Sequence, residues 1–154
     1  MAIEYLGNID LINVPKTAIL ASSNIPPDMV LKCYDWATKM RDDGRCVISG
    51  FCSYLEKDVW DFLVTGTQPI ILVLARKMYA RIPQDLQKLI ESNRLLIISV
   101  SNAVRQSKAT AFARNKYICE HAVEILMIGV NEKSSLYPLQ TKYADKLIDI
   151  EKNL

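Results

Sequence analysis

Short apolar runs alternate along the chain with stretches of helical period. Runs at residues 17–21, 46–49, 69–74, 95–99 and 124–130 have strand length, and the third is apolar throughout, which predicts cover on both faces. Val30, Leu31, Tyr34, Ala37 and Met40 recur at helical spacing behind Pro26-Pro27-Asp28. That opening suits a first turn, because proline is tolerated there and Asp28 complements the positive end of the dipole. The pattern stops at Asp43-Gly44. Residues 54–64 set Leu55, Val59, Phe62 and Leu63 on one face ahead of Gly66. Residues 84–92 and 112–122 read as further helices, and 142–152 as a closing one. Residues 3–6 and 10–13 read as a strand pair about a Gly7-Asn8 turn. The alternation predicts an α/β fold, doubly wound, with a mostly parallel sheet and helices on both faces (Rossmann-like). It is expected as a single domain over residues 1–154, with 1–16 as an N-terminal extension.

Ligands in such sheets bind beyond the carboxyl ends of the strands. There, Val47-Ile48-Ser49-Gly50-Phe51 breaks at Ser-Gly just before a helix, which leaves backbone N–H groups for an anion. Ala21-Ser22-Ser23-Asn24 repeats the arrangement in weaker form, and a third helix start is expected around Ala113-Arg114-Asn115-Lys116. In that cluster an arginine fork, an amide and a point charge stand together, which suits phosphate; the alternative is an exposed helix start. Residues 100–111 lack a clear period and carry Ser, Asn, Gln, Lys and Arg, as functional loops often do.

Charge sharpens this picture. The net charge is only +2, yet between Asp61 and Glu120 nine basic residues face two acids, Asp85 and Glu91. Arg76, Lys77, Arg81, Arg105 and Lys108 follow predicted strands, so the imbalance points to a polyanion patch, whereas Lys88 and Arg94 read as solvating a helix face. Half the residues are hydrophobic and 23% charged, a globular composition. No apolar stretch approaches the roughly 20 residues of a membrane span, and no leader pattern opens the chain. A cytoplasmic protein without membrane contact is expected.

Cys33, Cys46, Cys52 and Cys119 lack metal-ligand spacing and read as reduced, mostly buried thiols, with Cys52 set apart by its place at a helix start. His121 has no evident acid partner. Glu56, Asp58 and Asp61 are explained by the helix dipole. No phosphate loop, dinucleotide fingerprint or nucleophile elbow is present. No catalytic residue, metal or cofactor is therefore assigned.

Taken in order, residues 5–20 resemble the opening of the Rossmann-like domain of the DNA-processing protein A (DprA/Smf) family. Ala21-Ser22-Ser23 stands where that family has Gly-Ser-Arg, and Val47-Ile48-Ser49-Gly50 is similar to its strand-ending Ser-Gly. Leu55-Glu56 falls at its Ile-Asp, Tyr79 and residues 82–86 at its Tyr-Pro region, and Phe112-Ala113-Arg114-Asn115-Lys116 at its Phe-Pro-x-Arg-Asn-Arg. Ser134-Ser135-Leu136 echoes its Gly-Ser-Leu. Ser23 replaces an arginine, Cys52-Ser53 an Ala-Arg pair and Tyr54 a glycine, so the resemblance implies a thinner phosphate grip.

What the resemblance implies is a non-catalytic protein that binds single-stranded DNA and acts in DNA uptake, natural transformation and recombination. Its binding residues would be Ser22, Ser23, Ser49, Gly50, Arg105, Lys108, Arg114, Asn115 and Lys116. The family's homodimer and its RecA-type recombinase are the implied partners. Two alternatives stay open: a nucleotide-hydrolysing enzyme of the lonely-guy type, for which only Gly66-Thr67 speaks, and a nucleotide-sensing domain.

Overall fold

The computed structural model describes residues 3–154, so the first two residues of the expected domain lie outside the described part. Six strands form one sheet: β1 (Glu4–Gly7), β2 (Lys16–Ala21), β3 (Cys46–Ser49), β4 (Ile70–Leu74), β5 (Leu95–Ser99) and β6 (Glu124–Ile128). Their order is β1-β5-β4-β3-β2-β6, parallel throughout except for β1. Among the described residues five α-helices complete the fold: α1 (Pro27–Asp42), α2 (Tyr54–Leu63), α3 (Gln84–Glu91), α4 (Lys108–His121) and α5 (Tyr137–Lys142).

Because side chains alternate across a strand, each strand feeds both layers. Ile19, Val47, Ile70, Leu72 and Ile97 pack under α1, α2 and α3, where Trp36, Val59 and Leu63 are buried. Ala18, Ile48, Ile71, Val73, Leu96 and Ile98 pack under α4 and α5 against Ile118, Cys119 and Leu139. Each valine, leucine or isoleucine among them contributes about 1.5–3 kcal/mol by leaving water. The doubly wound arrangement, a sheet with helices on both faces, is the one the alternation predicts.

Three elements differ from expectation. The N-terminal segment is no hairpin: β1 pairs with β5, Glu4 opposite Ser99 and Gly7 opposite Leu96. Gly7 sits at φ 107°, and a Cβ there would run into the Leu95 carbonyl. Residues Ile9–Asn13 then form a 3₁₀ turn, capped by the Asn8 side chain and burying only Leu11. The helix expected from residue 112 starts at Lys108, because Ser107 and Thr110 cap it reciprocally. The closing helix over 142–152 is absent. Instead Leu147 bridges to Ile125 and the Ile148 N–H donates to the Ile125 carbonyl, so the chain runs extended beside β6, between short turns at Ala144–Lys146 and Ile150–Asn153. Arg94 also departs from its expected role. It donates to the carbonyls of Leu63, Val64 and Gln68, tying the end of α2 to the start of β5.

The chain winds from β2 through β3 and β4 to β5 in one direction, then crosses to β6 on the far side of β2. The crevice between the carboxyl ends of β2 and β6 is thus the topological switch point.

Candidate functional site

The β3–α2 junction is held by its own side chains. Ser49 is fully buried and its Oγ accepts from the Phe51 N–H at 3.2 Å, which steadies Phe51 in a left-handed conformation at φ 49°. Ser53 caps α2 by accepting from the Glu56 N–H. The Glu56 carboxylate, itself buried, accepts from Cys52 N at 3.0 Å, Ser53 N at 3.4 Å and Ala21 N at 2.9 Å. Amides that the Ser-Gly break leaves open on sequence grounds are therefore taken by an internal anion. Ser49 stabilises the turn and lines neither cavity described below.

The β2 end behaves alike. The Ser22 N–H donates to the Ile128 carbonyl at 3.0 Å and its Oγ to the Gly129 carbonyl at 2.6 Å. The next helix begins only at Pro27, so Ser22 and Ser23 face the crevice with side chains, not with helix-start amides.

Arg114 dominates the rim. It lies in the second turn of α4 and is only 4% exposed. Its Nε donates to Asn115 Oδ1 at 2.8 Å and its Nη1 to Cys52 Sγ at 3.3 Å. Among the described residues no carboxylate comes within salt-bridge distance of it. A cation taken from water without an acid is costly, by several kcal/mol, unless an anion is supplied. Gly50 makes the position possible: a Cβ there would lie 2.5 Å from Nη1 and 2.6 Å from Cζ. The glycine is needed to seat the guanidinium.

Arg114 forms the wall between two cavities. One, of about 600 Å³, occupies the switch point and is polar, with Ser22, Ser23, Asn24, Asn115, Asn131 and Ser135 around it and Lys133 as its exposed cation. The other, of about 610 Å³, opens between α2 and α3 and carries Phe51, Trp60 and Tyr79. Cys52 borders both, and its thiol contacts Gln106 in the loop before α4.

The remaining basic residues of the expected site do not converge here. Arg105 and Lys108 are exposed and line neither cavity. Lys116 stands two residues from Arg114, about 200° around the helix, so it faces away. It pairs with Glu120 at 3.9 Å beside a separate hollow that includes Ile3 and Tyr117. His121 ends α4, stacked on Tyr117. Asp58 accepts from the Tyr34 hydroxyl. Asn131, Lys133 and Glu56 are not assigned by the sequence. The first two follow the strand across the switch point, a position that topology alone identifies. The buried thiols of Cys33, Cys46 and Cys119 are pushed up by desolvation to about 11, 12 and 11, whereas Cys52 is exposed.

Residues 1–141 match the family described as DNA recombination-mediator protein A. The chain belongs to that family. Among solved structures it is similar to DNA processing protein A from Helicobacter pylori, at 19% identity and TM-score 0.72, over 94% of this chain and 69% of that one. That structure is described with the single-stranded DNA binding mode of the Helicobacter protein. DNA processing protein A from Streptococcus pneumoniae matches at 18% identity and TM-score 0.73, over 94% of this chain but only 52% of that one. This chain thus spans about half the length of the Streptococcus protein. The molybdenum cofactor binding protein of Rippkaea orientalis shares the fold at 8% identity and TM-score 0.55, over 91% of this chain and 92% of that one. No curated protein sequence matches significantly. Among the described residues no helix is long and apolar enough to cross a membrane.

Proposed function

We propose that this member of the recombination-mediator family binds single-stranded DNA, without catalysis, along the carboxyl rim of its sheet. The observation that carries the reading is Arg114: a buried guanidinium with no acidic partner among the described residues, held on Gly50 in the wall between two cavities. A backbone phosphate at the switch point supplies the missing anion, with Asn115 beside it and Lys133 as second cation. Family membership and the strand binding ascribed to the Helicobacter relative support the same ligand. Arg105 and Lys108 then act as an exposed electrostatic margin for the strand; Ser23 is a hydroxyl donor, and Ser22, whose hydroxyl proton goes to the Gly129 carbonyl, shapes the crevice wall.

Binding of this kind is salt-sensitive, with a slope of about −0.7 per phosphate neutralised on a single strand. The test is fluorescence polarisation with labelled single-stranded, duplex and mononucleotide probes at two ionic strengths. Salt-dependent binding of the single strand above the other two supports the reading. A response to the mononucleotide alone favours the nucleotide-sensing alternative. Release of free base from a nucleotide panel favours the lonely-guy type of enzyme, although Gly66-Thr67 follows the carboxyl end of α2, away from both cavities. A cytoplasmic setting, a homodimer and delivery of the strand to a RecA-type recombinase complete the proposal; sedimentation and a strand-exchange assay test the last two.

A further inference from the structure

Of the four thiols only Cys52 is exposed; Cys33, Cys46 and Cys119 are sealed in the core. Cys52 stands just ahead of the capped start of α2 and borders both cavities, whose volumes of about 610 and 600 Å³ admit a small molecule to its sulfur. What singles this thiol out is Arg114. That guanidinium is 4% exposed and has no acidic partner among the described residues. Its Nη1 donates to the Cys52 sulfur at 3.3 Å and its Nε to Asn115, while Nη2 has no hydrogen-bond partner among the described residues. The thiol proton goes to the Gly50 carbonyl at 3.3 Å or to Gln106 Oε1 at 3.6 Å. A buried cation is thus aimed at a neutral sulfur, and oxygen added to that sulfur would carry the missing negative charge.

We propose that Cys52 is a modification site for hydroperoxides, and that the sulfinate it yields pairs with Arg114 and displaces the phosphate of a bound strand. The displacement rests on the strand-binding reading; the modification does not. In the first step the sulfur, as its thiolate, attacks the terminal oxygen of the hydroperoxide. An S–O bond forms, the O–O bond breaks, and the leaving alkoxide or hydroxide takes up the proton that the thiol gave up. Sulfur is oxidised by two electrons to the sulfenic acid, and the peroxide is reduced to an alcohol or water. The other three thiols are buried and cannot resolve this species as a disulfide, and the neighbouring Ser53 N–H is held by Glu56. A second hydroperoxide then repeats the exchange at the same sulfur, and the resulting sulfinic acid loses its proton to water. Its two oxygens match the fork of Nη1 and Nη2 as those of a carboxylate do.

The test treats the reduced protein with hydrogen peroxide and reads three things: the mass of the Cys52 peptide, the thermal midpoint, and the polarisation of a labelled single-stranded oligonucleotide. Cys52 alone among the thiols should gain first one oxygen, trapped by dimedone, and then two. The two-oxygen form should bind the strand about tenfold or more weakly, the worth of one charged hydrogen bond, and a thiol reductant should not restore it. Its thermal midpoint should rise in the wild type but not in Arg114→Gln, because only the wild type offers the cation. Cys52→Ser should bind the strand equally well before and after peroxide, and Cys52→Asp, which sets a carboxylate there without any oxidant, should reproduce the weakening. A Cys52 that stays reduced while methionines are oxidised would overturn the modification site. A two-oxygen Cys52 with the midpoint and affinity of the reduced protein would overturn the pairing with Arg114. Failure of the untreated protein to bind any oligonucleotide would refute the strand-binding reading and the displacement with it, whereas the mass and the midpoint would still decide the modification and the ion pair.

Discussion

Glu56 ties together two strand ends and a helix start, and its removal has a size that can be worked out. The residue is 6% exposed, and its carboxylate accepts three backbone N–H groups, from Ala21 at 2.9 Å, Cys52 at 3.0 Å and Ser53 at 3.4 Å. A hydrogen bond to a charged group contributes about 1.5–3 kcal/mol, and a buried donor left unmet costs about 1–3 kcal/mol. Ala21 is the buried one of the three residues, so its amide carries the larger part of the penalty, although it too borders the polar cavity. Cys52 and Ser53 border the polar cavity, where solvent replaces part of the loss. Glu56→Ala should therefore cost about 3 kcal/mol, or about 6–12 °C in Tm for a chain of this size. Glu56→Gln keeps an acceptor oxygen but turns an N–H donor toward an amide, and should lose about half as much. Urea and thermal melts of both variants, with Asp58→Ala as a control on the same helix, measure the effect. Asp58 receives one hydrogen bond from Tyr34 near the surface, so its loss should stay within about 1 kcal/mol. If Glu56→Ala melts within about 2 °C of the wild type, the carboxylate does not hold the rim and the reasoning is wrong.

Three further outcomes are expected. Gly50→Ala sets a methyl against the Arg114 guanidinium, 2.5 Å from Nη1, so single-strand affinity should fall at least tenfold, measured by polarisation, with the far-UV circular dichroism unchanged. Cys33, Cys46 and Cys119 ionise in the unfolded chain near pH 9 but in the native fold only at about 11, 12 and 11. Native protein then holds more protons than unfolded protein, so stability falls as pH rises from 9, by about 1 kcal/mol per thiol at pH 10; urea melts at pH 8 and 10 check the sign. Lys116→Ala should leave single-strand affinity within twofold, because that side chain faces Glu120 on the far side of α4; a tenfold loss in the same assay would place the strand on the wrong side of the helix.

The central strands are readable because burial on both faces leaves a continuous apolar run, as in Ile70–Leu74 and Leu95–Ser99. Their order, and so the switch point, follows from connection rules once the alternation is seen. What misleads is information carried by distant partners. The Ile9–Asn13 segment has a strand-like composition, but β1 finds β5 some ninety residues on and leaves that segment as a turn. Residues 142–152 have helical spacing, yet the open edge of β6 draws Leu147 and Ile148 into extended pairing. At the site, Arg114 stands out in the sequence as the key cation, but its burial is hidden, because α4 begins four residues earlier than its period suggests and the arginine lies inside it. Glu56 is masked by a sufficient local explanation, an acid at a helix N-terminus. Only the folded chain joins it to Ala21, thirty-five residues away.

Strand binding as proposed turns on Arg114, a buried arginine without an acidic partner among the described residues. The most direct measurement is the affinity of Arg114→Gln for a labelled single-stranded oligonucleotide across a salt series, beside the wild type. Binding should weaken uniformly across base compositions, at least tenfold, and the salt slope should become shallower by about 0.7, because one phosphate fewer is neutralised. Affinity and slope equal to those of the wild type would contradict it.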